Sequence, residues 1–390
     1  MMDTAVESPL AAARRRFFGD RAAVVGVVGI LLLLIPALYA PFLANGRPLL
    51  MISADGGWSM PFLRFFFAPE SSEVLVEKLF NYLAIVLPPL LLVALICRRH
   101  PKLRRVMTVL LLLSAAVGFF AVRPKMDKTD GRAAAAGAKF ALFAPIPYGP
   151  DEIVGEPCAA PGDGHPLGCD DVGRDLAARL ISGARVSLAV GIISTLIALV
   201  IGLCVGMSAG FFRGRFDLAV MRLVEILLCF PTFLLLLILM SMLGDRHIAE
   251  SIPLVILVIG ATGWMNLAFL VRGEVLKESS LPYIRSCVVS GISPWKIMFR
   301  HLLPNISAPV LISFTFGVAG AIIGESGLSF LGFGVQPPTA SWGNLLRQAF
   351  DDPLAYWHLT FFPGAALFLA VLSFNFTGEG LRRAFDVKEQ

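Results

Sequence analysis

The sequence predicts an all-α integral membrane protein, and three observations predict it. Of the 390 residues, 56% are hydrophobic and only 16% charged, against about a quarter charged in soluble domains. Mean hydropathy is +0.76. The apolar residues gather into runs close to the roughly 20 positions that a helix needs to cross a bilayer. The net charge of +5 and pI near 9.0 fit the Lys/Arg excess of cytoplasmic loops. No basic, aromatic-interleaved patch lies outside the membrane-flanking stretches, which argues against a nucleic-acid partner.

Taken in order, residues 1–21 form a cytoplasmic N-terminus in which Arg14, Arg15 and Arg16 precede an apolar run starting at Ala22. The charge order is that of a signal peptide. The run is about twice a secretory h-region, however, and Pro41 directly after Ala40 makes a poor cleavage junction, so 22–43 reads as an uncleaved first span. Residues 44–122 hold an extracytoplasmic segment and an extra helical hairpin. Within them Met60–Phe67 is either an interfacial aromatic anchor or packed core, and apolar runs begin at Leu79 and Val106. Pro88 and Pro89 interrupt the first of these runs, so the pair is either two spans or one re-entrant hairpin. Between them, Arg98, Arg99, Lys102, Arg104 and Arg105 make a short cationic loop that belongs on the cytoplasmic side.

Residues 123–185 form a Pro- and Gly-rich extracytoplasmic loop closed by an amphipathic helix. From Asp171 to Ala184, Val172, Leu176, Leu180 and Ile181 share a face, with Asp170 or Asp171 as N-cap. Residues 186–385 form the core, with further runs starting at Val186, Leu218, Ile252, Ile306 and His358. Threading eight spans from a cytoplasmic N-terminus puts Arg213, Arg215, the 272–304 loop, Arg382 and Arg383 on the same side as the 98–105 loop. Removing the second and third spans together leaves every later orientation unchanged. The plan is therefore six core helices plus about two extra spans in the N-terminal region.

The 272–304 loop carries the most specific pattern. Lys277, Glu278, Pro282 and Tyr283 lead into a short helix, Gly291 breaks it, a second helix runs from Trp295 to Leu303, and Pro304 enters the next span. Such a pair either docks a soluble partner or is a surface helix pair that binds nothing. The string Gly291 through Asn305, ending Phe299-Arg300-His301-Leu302-Leu303-Pro304-Asn305, resembles the coupling loop of ATP-binding-cassette importer permeases, specifically their dipeptide/oligopeptide branch. That family's loop opens Glu-Ala-Ala, with Gly seventh and Leu-Pro nineteenth and twentieth. Here Gly291, Leu303 and Pro304 match, whereas Arg285, Ser286 and Cys287 replace the opening triplet. The small Ser286 and Cys287 keep a close approach, but Arg285 reverses the usual charge.

Two outward strings resemble the same branch: His165-Pro166-Leu167-Gly168-Cys169-Asp170-Asp171-Val172-Gly173-Arg174-Asp175, and Gly324 through Pro338 followed by Ser341-Trp342-Gly343-Asn344. The resemblance covers about 165–390 and the first span. It implies a type I permease core in a bacterial inner membrane, with both termini cytoplasmic. It also implies a second permease subunit (a heterodimer), two cytoplasmic ATP-binding subunits, an extracytoplasmic solute-binding protein and no cofactor. On this reading Arg285, Ser286, Cys287, Gly291, His301, Leu303 and Pro304 couple to the ATPase. Oligopeptides or dipeptides are the favoured cargo, with nickel or a peptide-like compound as the alternative.

Other candidates remain open. Arg222 and Glu225, three apart, form either a pore element or an interfacial helix pair. Glu325 lies at the outward end of the seventh span, as a pore-mouth residue or a hydrogen-bonded structural carboxylate. Gly317, Gly320 and Gly324 favour close helix packing. Cys158 and Cys169 share one outward loop, a placement that permits a disulfide. His165, Cys169, Asp170 and Asp171 lack a recognised metal spacing and read as a capped turn. No GxxxxGK[ST] loop occurs, so ATP is not bound by that route and the energy comes from a partner. A secondary transporter calls for paired repeats and mid-span acids; no paired repeat is evident here and mid-span acids are few.

Overall fold

A computed structural model describes residues 9–53, 56–67, 74–121, 131–162, 164–243 and 252–386. In chain order the helices are α1 (Pro9–Gly19), α2 (Arg21–Leu38), α3 (Ala40–Leu43), α4 (Pro61–Phe67), α5 (Val74–Ile96), α6 (Pro101–Ala121), α7 (Gly131–Ala136), α8 (Leu176–Phe212) and α9 (Gly214–Leu228). They continue as α10 (Thr232–Leu243), α11 (Ile252–Glu278), α12 (Pro282–Val289), α13 (Pro294–Ile297), α14 (Leu303–Asn305), α15 (Ser307–Phe330), α16 (Trp342–Arg347) and α17 (Trp357–Phe385). Of the predicted outward loop 123–171, residues 123–130 and 163 lie outside the described residues.

Among the described residues, six helices are long and apolar enough to cross a membrane: α2, α5, α8, α11, α15 and α17. The run beginning near Leu218 is not one straight span. α9 and α10 qualify only together and are bent by 82° at the Phe230-Pro231 break, where Pro231 offers no N–H to continue the first helix. The third predicted span, α6, is not among those that qualify. Its first turn is spent on Lys102, Arg104 and Arg105, and the apolar remainder from Val106 to Ala121 spans only about 24 Å.

The chain divides into two compact units. One comprises Leu33–Ser187 and Val335–Gly364. Here a small antiparallel sheet, absent from the sequence reading, orders β1 (Leu50–Ile52) between β2 (Trp58–Ser59) and β3 (Phe140–Leu142). Leu50 pairs with Leu142 and Ile52 with Phe140. The α5–α6 hairpin thus lies within a stretch that is bracketed by two strands of one sheet, β2 and β3. Pro88 and Pro89 do not interrupt α5, which runs through both. The hydroxyl of Tyr39 reaches the carbonyl of Ala84, the acceptor that Pro88 leaves without its helical donor, at 3.5 Å. Arg185 does the same service for α2. Its Nε donates to the Ala37 carbonyl at 2.6 Å, which Pro41 cannot satisfy, and a terminal nitrogen donates to Leu38 at 3.0 Å.

In the same unit the 165–175 string forms a charged turn. The Asp170 carboxylate accepts from the Val172 and Arg174 amides and from Arg174 Nε at 2.6 Å, and it lies 3.0 Å from Arg179 Nε. Arg179 also donates to the carbonyls of Pro150 and Pro338. The expected N-cap is therefore corrected. Asp175, not Asp170 or Asp171, caps α8 by accepting from the Ala178 amide at 2.9 Å, while Asp170 is already committed to its own turn. Asp175 also holds His165 Nδ1 at 2.8 Å. Cys158 and Cys169 are free thiols, not a disulfide. The Cys169 sulfur is packed against Gly155, where an added Cβ would sit 2.5 Å from it. Burial and the neighbouring Asp175 and Asp170 carboxylates raise the Cys169 thiol above its usual pKa, which disfavours the reactive thiolate.

The other unit comprises Met1–Leu32, Leu188–Gly334 and Ala365–Gln390. Its helices pack through small residues: a Cβ at Gly206 would meet the Ala268 carbonyl at 2.6 Å, and one at Gly191 would meet Ile322 at 2.5 Å. This close packing of α8 against α11 and α15 follows the small-residue logic of helix association in lipid.

Candidate functional site

The 279–306 hairpin joins α11 to α15, and its two faces differ sharply. On the inner face Ile284, Ile297, Met298, Leu302 and Ile306 bury themselves against Met207 of α8 and Val271 and Val275 of α11. Cys287, Ile292 and Leu303 pack at the edge of that cluster. On the outer face Val289 is 89% exposed and Trp295 61%, with Val288 and Phe299 also more than half exposed. Trp295 and Phe299 stack at 6.2 Å between centroids. Bare aliphatic and aromatic side chains on a loop rich in Ser, Lys and Arg carry a hydrophobic cost that a docked partner removes.

Gly291 sets the angle between the two arms. Its φ is +71°, the left-handed region that favours glycine. The Gly291 amide donates to the Val288 carbonyl at 3.0 Å and the Ile292 amide to Cys287 at 3.1 Å. This is the paired bonding of a Schellman cap, and both Ile292 and Cys287 pack against the inner cluster. Nothing lies within 4 Å of a Cβ built at Gly291, so this chain itself leaves that side open. The second arm carries a π-turn, Met298–Leu302, closed by the Leu303 amide bonding back to Met298. Pro304 follows immediately and has no amide for the Arg300 carbonyl, so the ladder slips there.

The hairpin's ends are tied together. Tyr283 donates to Glu278 at 3.0 Å and accepts from Asn305 Nδ2 at 2.6 Å, while Asn305 also donates to the His301 carbonyl. Desolvation first, then the Glu278 carboxylate, pushes the Tyr283 hydroxyl above its usual pKa, so it stays a donor. Nearby, Arg272 holds Asp217 in a bidentate pair at 2.7 Å, and Arg213 donates to Ser279 Oγ at 2.7 Å.

Of the residues singled out in sequence, Arg285, Ser286, Gly291 and Pro304 are exposed, His301 is half-buried, and Cys287 and Leu303 face the inner cluster. Ser286 Oγ bonds back to the Pro282 carbonyl. The sequence reading missed Val288, Val289 and Phe299 as outward-facing residues. Their apolar character inside a polar loop was the available signal.

Two adjoining cavities of about 260 and 410 Å³ lie in the same unit among α8, α10, α11 and α15, and share Thr195, Ala198, Gly263 and Gly317. Their lining is neutral, with Ser194, Thr195, Thr232, Thr262, Asn266 and Ser313 as its polar members and no charged side chain among the residues bounding them. Gly320 and Gly324 both face this space: a Cβ at Gly320 meets nothing within 4 Å, and one at Gly324 just touches Leu236 of α10 at 3.9 Å. Glu325 is fully buried and accepts from Ser329 Oγ at 2.7 Å. Arg222 and Glu225 pair at 2.7 Å on the exposed face of α9, away from the lining, which is the helix-pair reading.

Residues 202–388 match the family described as the inner membrane component of binding-protein-dependent transport systems. Residues 8–52 match the N-terminal transmembrane domain of oligopeptide transport permease C. The chain is similar to the glutathione transport system permease protein GsiD of Pectobacterium atrosepticum, 39% identical over 228 residues, 58% of this chain and 74% of that protein. It is also similar to GsiD of Shigella sonnei, 38% identical over 224 residues, 57% of this chain and 72% of that protein.

Proposed function

The chain belongs to the inner membrane components of binding-protein-dependent transport systems, and from that membership we propose that the 279–306 hairpin is the surface on which a cytoplasmic ATP-binding subunit docks. The chain is a multi-pass permease of an ATP-driven importer of the peptide branch, and such permeases work with ATPase and binding-protein partners. Beyond that, we propose that it supplies half of a pore, pairs with a different permease subunit and serves two ATP-binding subunits. Both termini lie in the cytoplasm, and ATP hydrolysis belongs to the partners. The cargo is a small peptide of glutathione size, in keeping with the relatives' names.

The observation that carries the docking role is the contrast between the hairpin's two faces, one interdigitated with α8 and α11, the other bare and partly aromatic. The hairpin also connects the two helices that contribute most to the cavities: α11 runs into its first arm and α15 out of its second. Closure of two ATP-binding subunits displaces the docked arms, and a close-packed cluster transmits the displacement without deforming. The helices bounding the cavities move in turn, exchanging inward- and outward-open states.

Two outcomes test this reading. Arg285 is exposed on this hairpin, and we assign it an ion pair with an acid of the ATP-binding subunit; Arg285→Glu is then expected to lower transport-coupled ATPase activity about ten-fold, because a like charge placed across an interface is strongly unfavourable. A compensating acid-to-lysine change on the ATPase should restore it, and failure of every such pair removes the ion pair assigned to Arg285. For the cavity, Gly320→Leu has room in the isolated subunit and should leave assembly intact while reducing uptake of the peptide cargo about five-fold by filling its path. Unchanged uptake would take the cavity out of the route.

A further inference from the structure

The α5–α6 hairpin lies outside both matched stretches, 8–52 and 202–388, so family membership assigns it nothing. The chain between β2 and β3, which contains it, departs from and rejoins one sheet, and its two helices pack side by side as an arm. Along the arm, apolar side chains face outward: Leu75, Leu91 and Leu95 on α5 and Val106, Leu110 and Val117 on α6 are each more than half exposed. A helix pair this apolar on its open faces is solvated by lipid tails.

The tip is chemically the opposite. Arg98, His100, Lys102, Arg104 and Arg105 are all exposed. No Asp or Glu occurs between Glu77 and Asp127, so the acid within the two helices, Glu77, stands in the first turn of α5, at the other end of the arm from the tip. Among the described residues none of these five side chains takes part in an ion pair. Helix stability does not explain them either. Lys102, Arg104 and Arg105 occupy the first turn of α6, where positive charge opposes the helix dipole. A concentration of cation that costs the fold and has no counter-charge among the described residues is matched to an external anion.

We propose that the tip of the α5–α6 arm binds the headgroups of anionic phospholipids, holding the arm in the bilayer as a lipid-facing anchor. The apolar stretches flanking the tip, Leu79–Ile96 and Val106–Ala121, span about 27 and 24 Å. They place the basic residues at headgroup depth of the leaflet the tip reaches. Clustered Lys and Arg next to membrane helices attract anionic lipid by about 1 kcal/mol each, roughly five-fold per residue. Lipid fits better than an acidic protein because the tip is bordered directly by exposed apolar helix. One phospholipid supplies tails for the helices and a phosphodiester for the cations, whereas a soluble partner would leave the apolar surface uncovered.

The test uses the assembled transporter in nanodiscs of phosphatidylethanolamine with a minor share of phosphatidylglycerol. Lipid co-isolated with the complex is quantified by mass spectrometry. The wild-type complex should retain phosphatidylglycerol about five-fold above its share of the bilayer. The quadruple variant Arg98→Gln, Lys102→Gln, Arg104→Gln, Arg105→Gln should fall to the bulk ratio. A variant with lysine at the three arginines should keep the enrichment, because headgroup attraction needs charge and not a guanidinium fork. Excess inorganic phosphate should not displace the lipid, since it brings no tails. ATP-driven uptake by the glutamine variant verifies that it assembles, so a negative lipid result leaves the permease reading untouched. Equal enrichment in wild type and glutamine variant overturns the proposal, as does an acidic protein that co-isolates with wild type alone while lipid ratios match.

Discussion

Replacing Gly291 by valine is expected to leave membrane insertion intact and to cut transport-coupled ATPase activity at least ten-fold. The two halves of this expectation come from different physics. Gly291 holds φ +71°, and a β-branched residue there costs of order 1–2 kcal/mol, too little to unfold helices as long as α11 and α15. The strain is relieved locally by turning the residue out of the left-handed region. That breaks both cap bonds, Gly291 to Val288 and Ile292 to Cys287, and lifts Ile292 from the inner cluster. The arms then meet at a different angle, and Val289, Trp295 and Phe299 no longer form one face. Gly291→Asn separates conformation from bulk, because asparagine tolerates the left-handed region. It should retain most of the coupling if geometry is what matters. Should the asparagine variant fail as completely as valine, the partner requires empty space at 291, which the open surroundings of that position also allow. Normal uptake by the valine variant would remove the hairpin from the coupling route altogether.

The membrane class and the hairpin's existence were legible because both rest on local signals: run length, charge placement and a glycine followed by proline. What escaped the sequence was decided by long-range pairing. Nothing near Leu50 announces that its partner is Leu142, some 90 positions later and across a helical insertion. Pro88 and Pro89 read as a break because a proline removes a helical bond, but Tyr39, far away in sequence, reaches the carbonyl so exposed. Glycines 317, 320 and 324 look alike in the sequence. Yet a Cβ at Gly317 would meet Thr195 at 2.7 Å while one at Gly320 meets nothing. Spacing identifies a small-residue stripe but not which helix, if any, fills the place beside it. Likewise Asp170, Asp171 and Asp175 are equally good caps on paper, and only the approach of Arg174 and Arg179 reserves the first for a different task.

That task gives the second large expected effect. Asp170→Ala should cost about 3–5 kcal/mol, the usual consequence of removing one partner from a buried charge cluster. Asp170 and Arg179 are fully buried, and Arg174 is nearly so. Once the carboxylate is gone, two guanidiniums remain with only the half-exposed Asp151 and Asp171 nearby. Those acids are poor substitutes. Desolvation already raises their pKa values, and each sits more than 3.5 Å from its arginine. The loss also strands the Val172 and Arg174 amides, unfastening the turn just ahead of the Asp175 cap on α8. Hydrogen exchange over residues 146–180 should therefore accelerate about 100-fold or more, while exchange in the 279–306 hairpin stays unchanged. Arg179→Met should cost less, because Asp170 keeps Arg174 and the methionine packs in the vacated space. Unaltered protection in the alanine variant would mean that the cluster contributes no net stability and that the Arg179 bonds to Pro150 and Pro338 alone hold this turn.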